Sequence, residues 1–310
     1  MRKLGEYPNF SGMRSKLTKA DDLSPMMKQS TPLLRRNDIL TGVEIESELW
    51  PARHAQLGKW WLAAGGEGSL KTDQAFEWFT YPLRGLALVR ALAKYEQEAK
   101  KYDEHFTARC AVHVHINMLE ADEQHAASMI ALCLLLDNHL YAVSDWERCH
   151  NYHCRPLSLA FREVVGAAQG IRMLLRGAGA PAYNQFKVMR DRRYLGVNFA
   201  SLAKHGTLEF RHFPGEYQSK VIRRWINCLY RIYDYAEKHS LVEIHLLANN
   251  GPGEITEQVF GKTLAKHMDL NKVRETWPQV LETYNVFSEI VEGSDESFDQ
   301  ALRDNYLLME

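Results

Sequence analysis

The chain has 310 residues, 45% of them hydrophobic and 25% charged, with a formal net charge of -1. That length holds one large domain or two modest ones. The composition is that of a water-soluble globular protein, and the near-zero charge gives no global argument for a nucleic-acid or membrane-surface partner.

Residues 1 to 38 are polar and locally basic, with little aliphatic pattern, and are expected to form an arm that wraps the domain or stays partly disordered. A role in steering an anionic substrate is the weaker reading. The opening stretch MRKLGEYPNF lacks the apolar core of a secretory leader, so a cytoplasmic location is expected. Regular pattern begins at Ile39. ILTGVEIESEL reads as a strand, GGEGS (Gly65 to Ser69) as a loop, and QAFEWFTYP (Gln74 to Pro82) as an aromatic-rich strand stopped by proline. LRGLALVRALAKYEQEAKKY (Leu83 to Tyr102) has helical periodicity, with Leu86, Leu88, Val89, Leu92 and Tyr95 as its apolar stripe. CAVHVHINM (Cys110 to Met118) is a third strand. A long helix follows from Ala121, with Asp122 and Glu123 suiting its N-terminal dipole. Its most apolar run, Met129 to Val143, is interrupted by Asp137, Asn138 and His139 and falls short of the roughly 20 residues of a membrane span.

Residues 148 to 192 look irregular and polar. RYLGVNFASL and GTLEFRHF then read as two strands joined as a hairpin through AKHG. Ser219 to His239 is a strongly amphipathic helix, and the remainder reads as helices with an acidic last stretch. Strands that are not each separated by one regular helix favour an α+β fold built on an antiparallel sheet, with helices packed on the side away from the polar face. The expected division is an arm (1–38), a core (39–240) and a helical extension packed on it (241–310). Five cysteines, an odd number in a large chain, argue against a disulfide framework. Cys149 and Cys154, with His150 and His153 between them, match no zinc-module spacing, so ordinary thiols are expected there.

Four of these strands carry unusual residues. Side chains two apart in a strand share a face, which groups Glu44, Glu46 and Glu48 on the first, His113 and His115 on the third, and Glu209 and Arg211 on the last. Glu77 sits amid aromatics on the second. Carboxylates so placed repel, and burying them is costly unless a cation meets them. Singly, each motif has an ordinary reading: a polar face for EIE, a solvated face or a ligand pair for HVH, a cross-strand ion pair for EFR. Together they suggest a sheet face holding magnesium or manganese, ions that can bridge nucleotide phosphates.

These segments resemble the amidoligase family, carboxylate–amine ligases with a glutamine-synthetase-like catalytic fold, also akin to glutamate–cysteine ligase. The resemblance rests on GVEIE, HVHINM, LGVNFASLAKHGTLEFRHFPG, the run GEGSLKTDQAFEWFTYPLRG and ERCHNYHCRPL (Glu147 to Leu157). It runs from about Thr41 to Trp225 in the family's order. Glu67 stands where an Asp is usual, and Ser47 where an aromatic is. The resemblance implies ATP and Mg2+ (or Mn2+) as cofactors. Glu44, Glu46, Glu77 and Glu209 would be metal ligands. One of His113 and His115 would bind metal and the other lie near the phosphates, the assignment taken being His113 to metal and His115 to nucleotide. Arg211 would face the γ-phosphate, acting with Glu209 in catalysis. Glu48 matches no position that carries over. Lys187 and Arg155 are candidates for the nucleotide and Arg193 for substrate, and each is equally a solvated surface charge. Asn198, polar in an apolar strand, would orient substrate.

The implied reaction joins a carboxylate to an amine through an acyl phosphate. The donor is glutamate by analogy. The acceptor is open among a small amine, a peptide, a protein side chain and a modified nucleobase, and no membrane partner is implied. His150 and His153 with Tyr152, the AYNQF segment, and Trp60 with Trp61 could line a pocket that stacks a flat group, or simply pack. The alternative function is a metal-dependent hydrolase using the same His and Glu residues to activate water. A third is a non-catalytic nucleotide binder.

Overall fold

The computed structural model describes residues 2–11, 33–48, 57–65, 76–101, 106–189 and 194–293. Six strands form one open sheet: β1 (Thr41–Ser47), β2 (Trp61–Gly65), β3 (Phe76–Thr80), β4 (Ala111–Asn117), β5 (Val197–Asn198) and β6 (Thr207–Pro214). Their order is β2-β3-β1-β4-β6-β5, and every pair is antiparallel. The α+β expectation therefore holds.

Alternation divides the sheet into two faces. Val43 and Ile45 of β1, Val112, Val114 and Ile116 of β4, and Leu208 and Phe210 of β6 are completely buried in the hydrophobic core. The helices α1 (Gly85–Ala99), α2 (Glu123–Ser144), α3 (Phe161–Leu175) and α4 (Gly179–Val188) follow in chain order. They are succeeded by α5 (Ser201–His205), α6 (Ser219–Lys238), α7 (Leu241–Ala248), α8 (Pro252–Phe260) and α9 (Leu270–Glu292). α2 packs against β6, α3, α6, α7 and α9. It is buried on all sides from His125 to Tyr141, as a helix at the centre of a large core should be. Its length and apolar composition would suit a membrane span, but 89% of that window lies inside the protein. The Asp122 side chain caps it by accepting from the His125 N–H at 2.8 Å, leaving fewer orphan amides at the first turn.

Three local expectations are corrected. β5 and β6 are joined by the five-residue helix α5, whose stop is Gly206 at φ 70°, not by a hairpin turn. The described part of the 148–192 stretch, 148–189, is largely helical, through α3 and α4. β2 was not anticipated, because its small Ala and Gly residues carry little strand signal.

The beginning of the chain is tied into the fold. Leu4 and Phe10 are fully buried, the Leu4 N–H donates to the Ala121 carbonyl at 2.9 Å, and Tyr7 OH bonds the Glu123 carboxylate. Arg35 and Arg36 both pair with Asp234 on α6, so these basic residues are spent on packing the segment down. Residues beyond 240 contribute to the same apolar cluster as the sheet, among them Ile244, Val280 and Phe287.

Candidate active site

Cross-strand register assembles the polar face. Glu46 lies opposite Glu77 and Glu44 opposite His113. His115 lies opposite Glu209, and Glu209 opposite Asn198. These side chains, with Arg211, floor a cavity of about 430 Å³. Helices α4 and α5 wall it, supplying Tyr183 and Lys187 from the first and Ser201, Lys204 and His205 from the second, while Tyr194 adds an aromatic side. Helices thus bear on both sides of the sheet, not only on the apolar one.

The floor forms two groups that share one imidazole. Glu44, His113 and Glu209 can bring one ligand atom each within 4.8 Å of one another, and so can Glu46, Glu77 and His113. His113 Nδ1 is 3.1 Å from Glu44 and 3.7 Å from Glu209, while its Nε2 faces Glu46 at 3.8 Å. A neutral imidazole has a single lone pair, so His113 can ligate on one side only. His115 Nε2 is a buried nitrogen without a well-formed hydrogen bond, 3.1 Å from Glu44, and offers a second imidazole donor to the Glu44–Glu209 group. Its Nδ1 is held by Thr207 Oγ1 at 3.0 Å and Ser201 Oγ at 3.3 Å, the kind of outer contact that orients a ligating histidine. Carboxylates with imidazole at this density fit a hard divalent cation.

Electrostatics keep Glu44 and Glu209 ionised. Burial opposes charge on Glu209, yet the Arg211 guanidinium overcomes it and lowers the carboxyl to about 2. Burial likewise works against Glu44, and the imidazoles of His115 and His113 hold it well below the usual carboxylate range. Burial disfavours protonation of His115, but the Glu44 carboxylate reverses this and raises it. Arg211 is itself raised by Glu209 against burial, and the two are hydrogen-bonded.

Seven of the predicted residues line this one cavity: Glu44, Glu46, Glu77, His113, His115, Glu209 and Arg211. Lys187 is exposed at the rim and lines the cavity. Asn198 also lines it, but its amide donates to Glu209 at 2.7 Å while its oxygen accepts from the Ala200 N–H, which makes it a holder of Glu209. Arg155 does not line the cavity. It faces Glu163 at 3.8 Å and lies 5.8 Å from the Tyr152 ring centre. Arg193 and the GGEGS loop from Gly66 onward, Glu67 included, lie outside the described residues. Glu48 is buried but not part of the cavity lining. Trp61 is on the apolar side, stacked on Tyr95, and Trp60 does not line the cavity either. Among the described residues the metal-competent groups include neither Cys149 nor Cys154. Lys204 and His205 were not foreseen, because AKHG reads as turn chemistry. Neither Lys187 nor Lys204 forms an ion pair among the described residues.

The family model described as putative amidoligase enzyme matches residues 82–232. That span carries His113, His115, Asn198, Glu209 and Arg211, whereas Glu44, Glu46 and Glu77 precede it and reach the site through strand pairing. No curated protein and no solved structure gives a significant match to the chain.

Proposed function

We propose, taking the amidoligase match over residues 82–232 as the premise, that the chain is an ATP- and Mg2+-dependent carboxylate–amine ligase. The observation that carries the reading is one cavity floor on which four carboxylates, two imidazoles and Arg211 converge. So much negative charge on a sheet face is unfavourable without cations, and divalent ions would offset it and could then carry a nucleotide's phosphates. Glu44 and Glu209 with His115, and Glu46 and Glu77 with His113, would hold the ions. When bound, the ions neutralise charge on the nucleotide phosphates.

A carboxylate cannot lose oxide, so it must first be activated. An oxygen of the substrate carboxylate attacks the γ-phosphorus of ATP, the bond to the β,γ-bridging oxygen breaks, and ADP departs. The amine nitrogen then attacks the acyl carbon, the carbon–oxygen bond to phosphate breaks, and inorganic phosphate leaves as the amine proton passes to a base. Arg211, fixed by Glu209 and by the His153 carbonyl at 3.1 Å, is placed to offset charge on the phosphoryl in flight, the main source of rate in such transfers. Lys187 and Lys204 at the rim suit anionic groups that extend from the floor.

The test has two arms. Thermal stability should rise more with ATP and MgCl2 together than with either alone, and ADP should form from ATP for at least one pair in a panel of carboxylates and amines. Stabilisation by Zn2+ or Mn2+ without any nucleotide response would favour a hydrolase instead. ATP turnover that survives Glu44→Ala and Glu209→Ala would sink the assignment of the floor.

A further inference from the structure

Behind the floor, on the opposite face of the sheet, lies a second polar cluster that takes no part in the chemistry above. His212 and Asp137 are 0% and 1% exposed, yet they meet with His212 Nε2 2.8 Å from Asp137 Oδ1. The other carboxylate oxygen accepts the Leu157 N–H at 2.7 Å. Asp137 sits on α2, His212 on β6, and Leu157 just beyond the Cys154–Pro156 turn, so one buried carboxylate joins three segments. Gly196 rests on the pair so closely that a Cβ there would lie 2.6 Å from His212 Nε2 and 2.7 Å from Asp137 Oδ1.

This joint bears directly on Arg211. β4 and β6 fall out of register between Val112 and Val114, which pair with Phe213 and Phe210. Two β6 residues, Arg211 and His212, therefore stand against the single residue His113. A bulge of this kind re-aims side chains. Here it turns Arg211 into the cavity and His212 toward α2. Besides Glu209, the anchors of Arg211 are Gly196, which packs on this pair, and the 148–154 stretch that leads into Leu157. Its N–H donates to the Gly196 carbonyl at 2.8 Å. Its carbonyl accepts from Arg148 at 3.3 Å and from the Cys154 thiol at 3.2 Å. Its Nε donates to the His153 carbonyl at 3.1 Å.

We infer that Asp137 and His212 are positioning residues: their buried hydrogen bond locks the β6 bulge and thereby sets Arg211 against the terminal phosphate of the nucleotide. The pair touches neither substrate nor metal site. This rests on the ligase reading only for the identity of the phosphate. A buried carboxylate with a single histidine partner and one backbone donor is an expensive element to place in a core, and locking the Arg211 guanidinium gives it a purpose that an apolar pair would not serve.

The experiment compares His212→Gln, whose amide reaches the Asp137 carboxylate, with His212→Asn, whose amide does not. Dissociation constants for ADP and for a non-hydrolysable β,γ-imido analogue of ATP, each with Mg2+, give the preference for the terminal phosphate. The Arg211 Nε–H resonance, assigned by its loss in Arg211→Lys, reports the guanidinium anchor without nucleotide. Mn2+ affinity checks the floor. His212→Asn should lose about tenfold of the preference, equivalent to about 1.4 kcal/mol, and should move the resonance. Because Arg211 also bonds Glu209, Mn2+ affinity should shift, but by less than the nucleotide preference, and His212→Gln should match the wild type on all three counts. If folded His212→Asn keeps the preference and the resonance, or if both amides behave alike, the inference is overturned. Should His212→Asn not fold, Asp137→Asn serves, since it keeps an acceptor for Leu157. A moved resonance with a preference lowered about threefold supports the lock, and wild-type values for both overturn it. A wild-type protein that binds neither nucleotide defeats the ligase reading, and the resonance comparison then decides the positioning claim by itself.

Discussion

Glu209 is held from several sides: Arg211 and Asn198 bond it, and His113 lies 3.7 Å away. Asn198 fixes one carboxylate oxygen, leaving the other to the guanidinium and the cavity. Outer-shell contacts of this sort are worth about 10–100-fold in metal affinity. Asn198→Leu should therefore weaken Mn2+ binding by about that factor with little change in fold, as isothermal calorimetry and circular dichroism would register. An unchanged Mn2+ affinity would mean that Glu209 is not a ligand. At this scale the sequence was most legible where a period-two strand placed the residues. Glu44, Glu46, His113, His115, Glu209 and Arg211 could each be assigned to a face from alternation alone. Arg155 could not. It lies in a loop with no period, and only the fold reveals that its guanidinium turns to Glu163 and Tyr152. Lys204 and His205 were hidden by the opposite error, a helix short enough to look like a turn.

Among the elements, α1 and α6 were legible because their apolar residues recur at helical spacing, and α2 because a long apolar run follows an acidic first turn. α3 and α4 were not, and glycine is the reason. FREVVGAAQGIRMLL and GAPAYNQFKV contain Gly166, Gly170 and Gly179 and a proline, which weaken a helical reading. In the fold these glycines are contact points. A Cβ at Gly170 would sit 2.7 Å from the Phe186 ring, and one at Gly179 would overlap the Tyr7 ring. Intrinsic propensity favours alanine at Gly170 by about 1 kcal/mol, but forcing apart α3 and α4 should cost about 1–3 kcal/mol. Gly170→Ala is thus expected to lower the urea midpoint. Because α4 also carries Tyr183 and Lys187, the same change should alter nucleotide affinity. A stabilised variant would show that the helices separate freely.

For the molecule as a whole, buried histidines couple stability to acidity. His139 is completely buried, bonded to the Pro252 carbonyl at 3.2 Å and edge-on to Trp277. Burial lowers it to about 4. An unfolded histidine titrates near 6.5, so between those values the unfolded chain takes a proton that the folded one refuses. Stability is complete above about pH 6.5 and falls as the solution is acidified toward pH 4. His139 alone should account for about 2 kcal/mol of the loss between pH 7 and pH 5. Urea titrations at the two values should show a smaller difference in His139→Gln, which keeps a donor for Pro252. Equal slopes would mean that His139 takes a proton in the folded state. The antiparallel α+β architecture was readable from the order of elements. What lay beyond the sequence was the packing of the first residues into the core, through Leu4, Tyr7 and Phe10, because buried anchors spaced three apart in a polar stretch give no extended pattern.

The connection between β5 and β6, residues 199–206 with the five-residue helix α5 inside it, divides the cavity into parts that can change at different rates. Floor residues are bound to ladder register, and slipping a strand by one residue would turn its ligands toward the core. Ser201, Lys204 and His205 stand on α5, which enters no ladder. Of that helix's cavity side chains, Ser201 is tied to the floor through His115 and Thr207, whereas Lys204 is exposed and His205 half-buried. Variation at those two positions leaves every strand pairing intact. Substitutions on α5 would change what the cavity meets at its wall while leaving the ladder-borne floor unaltered, a separation of floor from wall that the topology itself provides.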